Sequence, residues 1–173
     1  MSPFAGFGRF LYGHPGRWAI GTAKTLAFCH VVWTYGYSIG PASGPSMLPT
    51  FSVAGDWLLV SKRFRGGRDV RVGDLVVYRI PVEPADEAVK RVMGMPGDYV
   101  LVNSPEGASD LMIQASLFHV PQGHCFLVGD NLPASRDSRT FGPVPLGLVR
   151  GKVIAKTWPW QWIENPMDAE APA

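Results

Sequence analysis

Glu87-Ala-Val-Lys-Arg-Val-Met-Gly-Met-Pro-Gly-Asp98 sets the reading of this chain. Residues 89–93 favour a strand, and Met-Pro-Gly-Asp closes it with turn residues. Side chains alternate along a strand, so Ala88, Lys90 and Val92 share one face. That sets an ammonium among apolar neighbours, where loss of water disfavours the charged form and lowers the pKa. A neutral lysine can accept a proton from a hydroxyl, which is the basis of Ser–Lys nucleophilic catalysis. Taken by itself, the segment is more simply read as a strand lysine whose amine reaches back to solvent.

The same punctuation recurs outward from it. Gly-Asp pairs stand at Gly55-Asp56, Gly73-Asp74, Gly97-Asp98 and Gly129-Asp130, each before or between short β-favouring runs. The runs cover residues 57–61, 75–80, 89–93, 99–103, 125–128 and 148–158. Short strands separated by turn signals predict a mainly β, mostly antiparallel domain. Glycine (20) and proline (16) weigh against a helical bundle. Residues 165–173, NPMDAEAPA, read as a flexible tail. Residues 62–71, KRFRGGRDVR, form a basic loop, read as a solvated hairpin tip in preference to a binding patch.

The front of the chain is different. No acidic residue precedes Asp56, and Arg9, Arg17 and Lys24 are the only formal charges before it. Residues 18–39, WAIGTAKTLAFCHVVWTYGYSI, match the ~20 residues that cross a bilayer. Trp18, Trp33, Tyr35 and Tyr37 stand where interfacial aromatics belong, and Lys24 can extend its amine to the headgroups. The basic flank lies N-terminal, so the positive-inside bias holds that end back and sends the rest across. A cleaved signal would have a shorter apolar run and a small-residue cleavage site, and a transit peptide would be richer in arginine and serine. A buried helix of a soluble domain is the other reading of this span. A membrane anchor is the reading preferred.

With 173 residues, 46% of them apolar and 17% charged, the chain holds one domain with a real core. A disordered chain is excluded. A net charge of +2 gives little counterion-release affinity, so no nucleic-acid partner is expected. Mean hydropathy of +0.06 averages the acid-free front with a more ordinary remainder. Cys29 and Cys125 fall in the anchor and in a strand and are not expected to pair. His14, His30, His119 and His124 lack metal-ligand spacing, so neither metal nor cofactor is expected. No Gly-x-Ser-x-Gly elbow occurs.

One further segment carries chemistry. In Gly44-Pro-Ser-Met-Leu-Pro-Thr50, glycine and two prolines fix the backbone around Ser46 and leave its hydroxyl at the mouth of a turn. Such preorganisation helps a nucleophile. On this segment alone, a serine in a stiff loop is the simpler reading.

Together these residues resemble the type I signal peptidases, membrane-anchored Ser–Lys proteases. The serine box matches at Ser46-Met47-Leu48-Pro49-Thr50. The lysine box matches at Lys90-Arg91-Val92, followed by Gly94 and Pro96-Gly97-Asp98. A third box matches at Gly129-Asp130-Asn131, Ser135-Arg136-Asp137-Ser138-Arg139 and Gly142-Pro143-Val144-Pro145. Three boxes in the family's order and spacing behind an N-terminal anchor are specific, and they cover the chain to about Trp160. The compact size, the Gly-Pro before Ser46 and the run GPVPLGLVRGKV are most like the family's mitochondrial inner-membrane branch. Lys-Arg-Val-Met-Gly-Met-Pro-Gly-Asp and Asp-Ser-Arg favour the first of its two catalytic subunits.

The resemblance implies a basic segment 1–17, a transmembrane anchor 18–39, a curved antiparallel β-sheet catalytic domain 40–164 and the tail 165–173. It implies Ser46 as nucleophile and Lys90 as general base and acid. It further implies that Ser135 orients the lysine amine, that Asp137 and Arg139 hold the third box together, and that Arg91 supports the same region. The backbone N–H of Ser46 would stabilise the oxyanion. Some bacterial relatives have a serine side-chain donor where this chain has Gly44. Substrates would be precursor proteins with sorting presequences, bound as an extended strand and cut in the mitochondrial intermembrane space. A second protease subunit and membrane lipid are the implied partners. Apolar residues around Phe51 and Trp57 either rest on lipid or pack in the core. Two alternatives differ in class. A self-cleaving Ser–Lys repressor would need a DNA-binding domain in place of the apolar span. A non-catalytic, membrane-tethered β module scaffolding a partner would be suggested by the loss of Ser46 or Lys90.

Overall fold

The computed structural model describes residues 15–83, 85–102 and 117–167. It divides into two compact units, Met1–Gly36 and Tyr37–Ala173. In the first, helix α1 (Pro15–Val31) runs for 17 residues and passes into a π-helical turn, Val32–Gly36. Thr25 Oγ1 donates to the Gly21 carbonyl 3.1 Å away, satisfying its hydroxyl within the helix. At ~1.5 Å per residue, α1 is shorter than the ~30 Å hydrocarbon layer. No helix among the described residues is long and apolar enough to cross a membrane. Residues 1–14 of the expected basic segment, Arg9 included, lie outside the described residues.

The second unit begins three residues earlier than its sequence predicts. Tyr37–Ala42 forms strand β1, in which half-buried and exposed side chains alternate. Tyr37-Ser-Ile thus leaves the expected anchor for the sheet, because a period of two suits a half-buried strand. The strands that follow are β2 (Asp56–Ser61), β3 (Leu75–Arg79), β4 (Glu87–Gly94), β5 (Tyr99–Leu101), β6 (Leu117–His119), β7 (His124–Val128), β8 (Val144–Pro145), β9 (Val149–Thr157) and β10 (Trp160–Trp162). A short helix α2 (Ser138–Phe141) precedes β8. The main sheet has the order β1-β2-β9-β3-β4-β7-β8, with β10 also on β9, while β5 and β6 pair separately. All pairs are antiparallel, and register shifts at Leu59/Val60, Val77/Tyr78 and Val92/Gly94 bend the sheet.

All six expected runs contain strand, although Asn103 lies outside the described residues. Strand order is another matter. The long strand β9 inserts between β2 and β3, so residues 62–71 are a crossover and not the tip of a hairpin. The tail is shorter than expected. Asn165 is buried, and its Nδ2 donates to the Val72 carbonyl and to Asp74 Oδ1, both at 2.8 Å. Its Oδ1 accepts from the Met167 N–H, and residues 168–173 lie outside the described residues.

Three of the four Gly-Asp pairs build one device. Gly55, Gly73 and Gly97 adopt φ between 91° and 95°, a region that favours glycine. The aspartate after each turns back to accept a backbone N–H: Asp56 from Ser52, Asp74 from Arg71 and Asp98 from Met95. The fourth pair, Gly129-Asp130, serves the site described below.

Apolar faces of the bent sheet close on three clusters. One gathers Val76, Tyr78, Val92, Cys125, Leu127, Val144 and Val149. A second gathers Met47, Phe51, Leu58, Val60, Leu75 and Val153. The third joins Val100 and Val120 to Phe126 and Val128. Phe51 is therefore core, whereas Trp57 is exposed.

Candidate active site

Ser46 lies in a single 3₁₀ turn, Pro45–Met47. Proline presets φ at its first position, and Met47 and Phe51 sink into the second core cluster on either side of the exposed part of the loop. Gly44 precedes the turn with φ of 102° and ψ of 157°, and its N–H donates to the Val53 carbonyl. That backbone conformation favours glycine, so no side-chain donor stands at position 44.

Lys90 extends from the middle of β4 and is 3% exposed. Its Nζ donates to Ser46 Oγ at 2.5 Å. Burial drives the lysine pKa below its ordinary value. The charges of Asp137 and Asp130 oppose that shift, and Arg139 reinforces it. An uncharged amine at this distance can take the serine proton.

The third box fixes both partners. The Asn131 N–H donates to the Ser46 carbonyl and its Nδ2 to the Pro45 carbonyl, each at 3.0 Å. Thr50 Oγ1 donates to Asp130 Oδ2 at 2.5 Å. Arg91, next to Lys90, grips the same carboxylate in a fork, Nε to Oδ1 at 2.8 Å and Nη2 to Oδ2 at 2.7 Å. Asp130 thus ties the serine loop and the lysine strand to one point. Burial pushes its carboxyl up, but hydrogen bonds from Arg91 and Thr50 outweigh that and hold it low.

Ser135, Asp137 and Arg139 form an adjoining cluster. Asp137 is fully buried and accepts from Gly129 N–H, Ser135 Oγ, Arg139 N–H and the Arg139 guanidinium. Burial raises its pKa, but these bonds prevail and leave it below the usual carboxylate range. The hydroxyl of Ser135 donates to Asp137 Oδ2 at 2.6 Å, a charge-assisted bond to a buried carboxylate.

Gly129 is where the two halves touch. A Cβ there would stand 2.2 Å from Ser135 Oγ and 2.5 Å from the Ser46 carbonyl oxygen. Ser135 can rotate, but the Ser46 backbone cannot yield without moving the hydroxyl. Gly129→Ala is expected to lower kcat/KM for a precursor peptide about 100-fold or more, since an ångström of misplacement suffices for that. Gly147→Ala, which meets nothing within 4 Å, is the matched control and should be neutral. Equal kinetics for the two variants would refute the role of this contact.

A cleft of about 150 Å³ opens beside Ser46. Residues 41–44 at the end of β1 form one wall and residues 87–89 of β4 the other, with Met47, Phe51 and Ser52 completing it. Thr50, Asp130, Asn131 and the crowding at Gly129 are the parts that sequence reasoning assigned no role. Their only signal was membership of the quoted boxes.

A bent antiparallel sheet here presents a buried lysine to a turn serine. The family model described as signal peptidase, peptidase S26, matches residues 16–114 and 104–158, and the chain belongs to that family of serine peptidases. Among its relatives is the mitochondrial inner membrane protease subunit 1 of Saccharomyces cerevisiae, 36% identical over 86% of this chain and 90% of that protein. The subunit 1 of Schizosaccharomyces pombe is 38% identical over 86% and 92%. The subunit 2 of Schizosaccharomyces pombe matches less of both chains, at 35% identity over 71% and 66%.

Proposed function

We propose that this chain is a membrane-anchored endopeptidase that removes sorting presequences from precursors delivered to the mitochondrial intermembrane space, using Ser46 and Lys90. The observation that carries this is the 2.5 Å contact between Ser46 Oγ and an amine that is 3% exposed. Neutral Lys90 accepts the hydroxyl proton as Oγ attacks the scissile carbonyl. The Ser46 N–H donates to the oxyanion, and the ammonium then protonates the leaving amine. Water, deprotonated by the same lysine, hydrolyses the acyl-enzyme. Arg91, Asp137, Arg139 and Ser135 act as positioning groups that hold the two partners. The substrate lies extended in the cleft between residues 41–44 and 87–89.

Anchoring, in this reading, uses residues 18–36, with the basic flank retained in the matrix. Ile20, Leu26, Phe28 and Val31 are exposed on several sides of α1, the pattern of a helix in an apolar medium. Trp57, Trp158, Trp160 and Trp162 are exposed on the catalytic unit, as suits a domain resting at an interface. Similarity to subunits named for a mitochondrial inner membrane protease supports the location and a second subunit as partner.

The dyad has a pH signature. The active amine is the unprotonated one, so kcat/KM should climb as pH rises through the depressed Lys90 pKa, then level off. Initial rates on a precursor peptide at a series of pH values test this. Full activity retained well below neutrality would count against Lys90 as the base.

A further inference from the structure

The fold builds residues 62–71, the crossover from β2 to β3, into a cup. The segment holds Lys62, Arg63, Arg65, Arg68 and Arg71 against one acid, Asp69, whereas the rest of the chain beyond residue 55 has 8 basic and 13 acidic residues. Positive charge is therefore concentrated on one crossover. That crossover is held from below. Val70 is buried in the first core cluster, Phe64 packs against the same cluster, and a Cβ on Gly67 would strike Leu146. The Arg71 N–H donates to Asp74 Oδ2.

Above Phe64 and Val70 lies an open cavity of about 560 Å³, rimmed by Arg63, Asp69, Arg71 and Lys152. Lys152 is fixed in place, its Nζ 2.6 Å from Asp74 Oδ1 and 5.3 Å from the Phe64 ring centre. Arg63 and Asp69 form a loose pair at 3.9 Å with both side chains well exposed. An anion can displace such a pair at little cost. Cations around an apolar floor suit a phosphate that carries an apolar body.

Register gives the occupant. Tyr37, the first residue of the catalytic unit, pairs with Ser61, and Lys62 follows immediately. The chain enters from the anchor at Tyr37, so the basic loop sits beside the point of entry. We infer that the 62–71 crossover and Lys152 form a binding site for the headgroup phosphate of an anionic phospholipid. The inference rests on the membrane anchoring proposed above. Each basic side chain near an anionic surface contributes on the order of 1 kcal/mol, or about fivefold in affinity.

The full chain in maltoside detergent, titrated with soluble dihexanoyl lipids, tests it without requiring insertion. Dihexanoylphosphatidylglycerol should bind at least about tenfold more tightly than dihexanoylphosphatidylcholine. Arg63→Gln should weaken that binding about fivefold and Asp69→Asn should strengthen it, with peptide cleavage unchanged in both. Equal affinity for the two lipids, or no response to either substitution, would overturn the site. Inorganic phosphate binding as tightly as the glycerol lipid would assign it to free phosphate and overturn the lipid reading. Anchoring is read separately by alkaline carbonate extraction from vesicles. Release there would sink the anchor and leave the detergent titration to judge the site.

Discussion

Ser46→Ala is expected to abolish precursor cleavage, lowering kcat/KM by about 10⁴-fold or more, and Lys90→Met to do the same. The double variant should be no worse than either, because the two residues carry out one step. Without Oγ there is no acyl-enzyme. Without the amine, the hydroxyl keeps its proton at neutral pH and cannot attack. Methionine matches the length of the lysine stem and is apolar, so the loss in Lys90→Met is chemical and not a collapse of β4. The experiment compares the purified full chain and the variants on a precursor that retains its presequence junction. Cleavage by either single variant within tenfold of the unsubstituted chain would refute the dyad and favour a scaffolding role.

Asp137→Asn should be the most damaging substitution for stability. The side chain is fully buried and takes hydrogen bonds from Gly129, Ser135 and Arg139. An amide cannot accept all of these, and it leaves the Arg139 guanidinium without its counter-charge. Breaking one partner of a buried pair costs about 3 kcal/mol or more, or a fall in Tm of about 6–12 °C for a domain this size. The pH dependence has a definite sign. The folded pKa of Asp137 lies below the ordinary carboxyl value of 3.8, so this stability is complete above that pH. It is lost as pH falls through the depressed folded value. The Tm gap between the unsubstituted chain and Asp137→Asn should therefore hold from neutrality to mild acid and close below about pH 4. Calorimetry of both in detergent measures it, and a gap under about 2 °C at neutral pH would overturn the assignment.

Of the six strands legible in the sequence, all but β9 lie beside Gly-Asp punctuation, because a turn glycine and its aspartate act within four residues. Strands β6, β8 and β10 are two or three residues long and exist through their partners, so no local pattern marks them. Strand β1 was hidden for another reason. Its aromatic and aliphatic residues continue the apolar texture of α1, and only pairing with β2 reveals where the helix stops. Asn165 looked like tail for want of any neighbour in sequence. Its partners, Val72 and Asp74, lie more than ninety residues away.

From sequence alone, the alternation of β4 put Lys90 on the face it shares with Val92, and two prolines stiffened the turn at Ser46. Those are consequences of backbone geometry over a few residues. The 2.5 Å contact between side chains 44 positions apart is of a different kind. It depends on Asn131 and Asp130 tying two remote elements together and on Gly129 lacking a Cβ. The depressed lysine pKa is likewise a property of what covers the amine. Local rules chose the reactive groups, and only tertiary packing decided their distance and their proton affinity, because desolvation and long-range closure have no local cause.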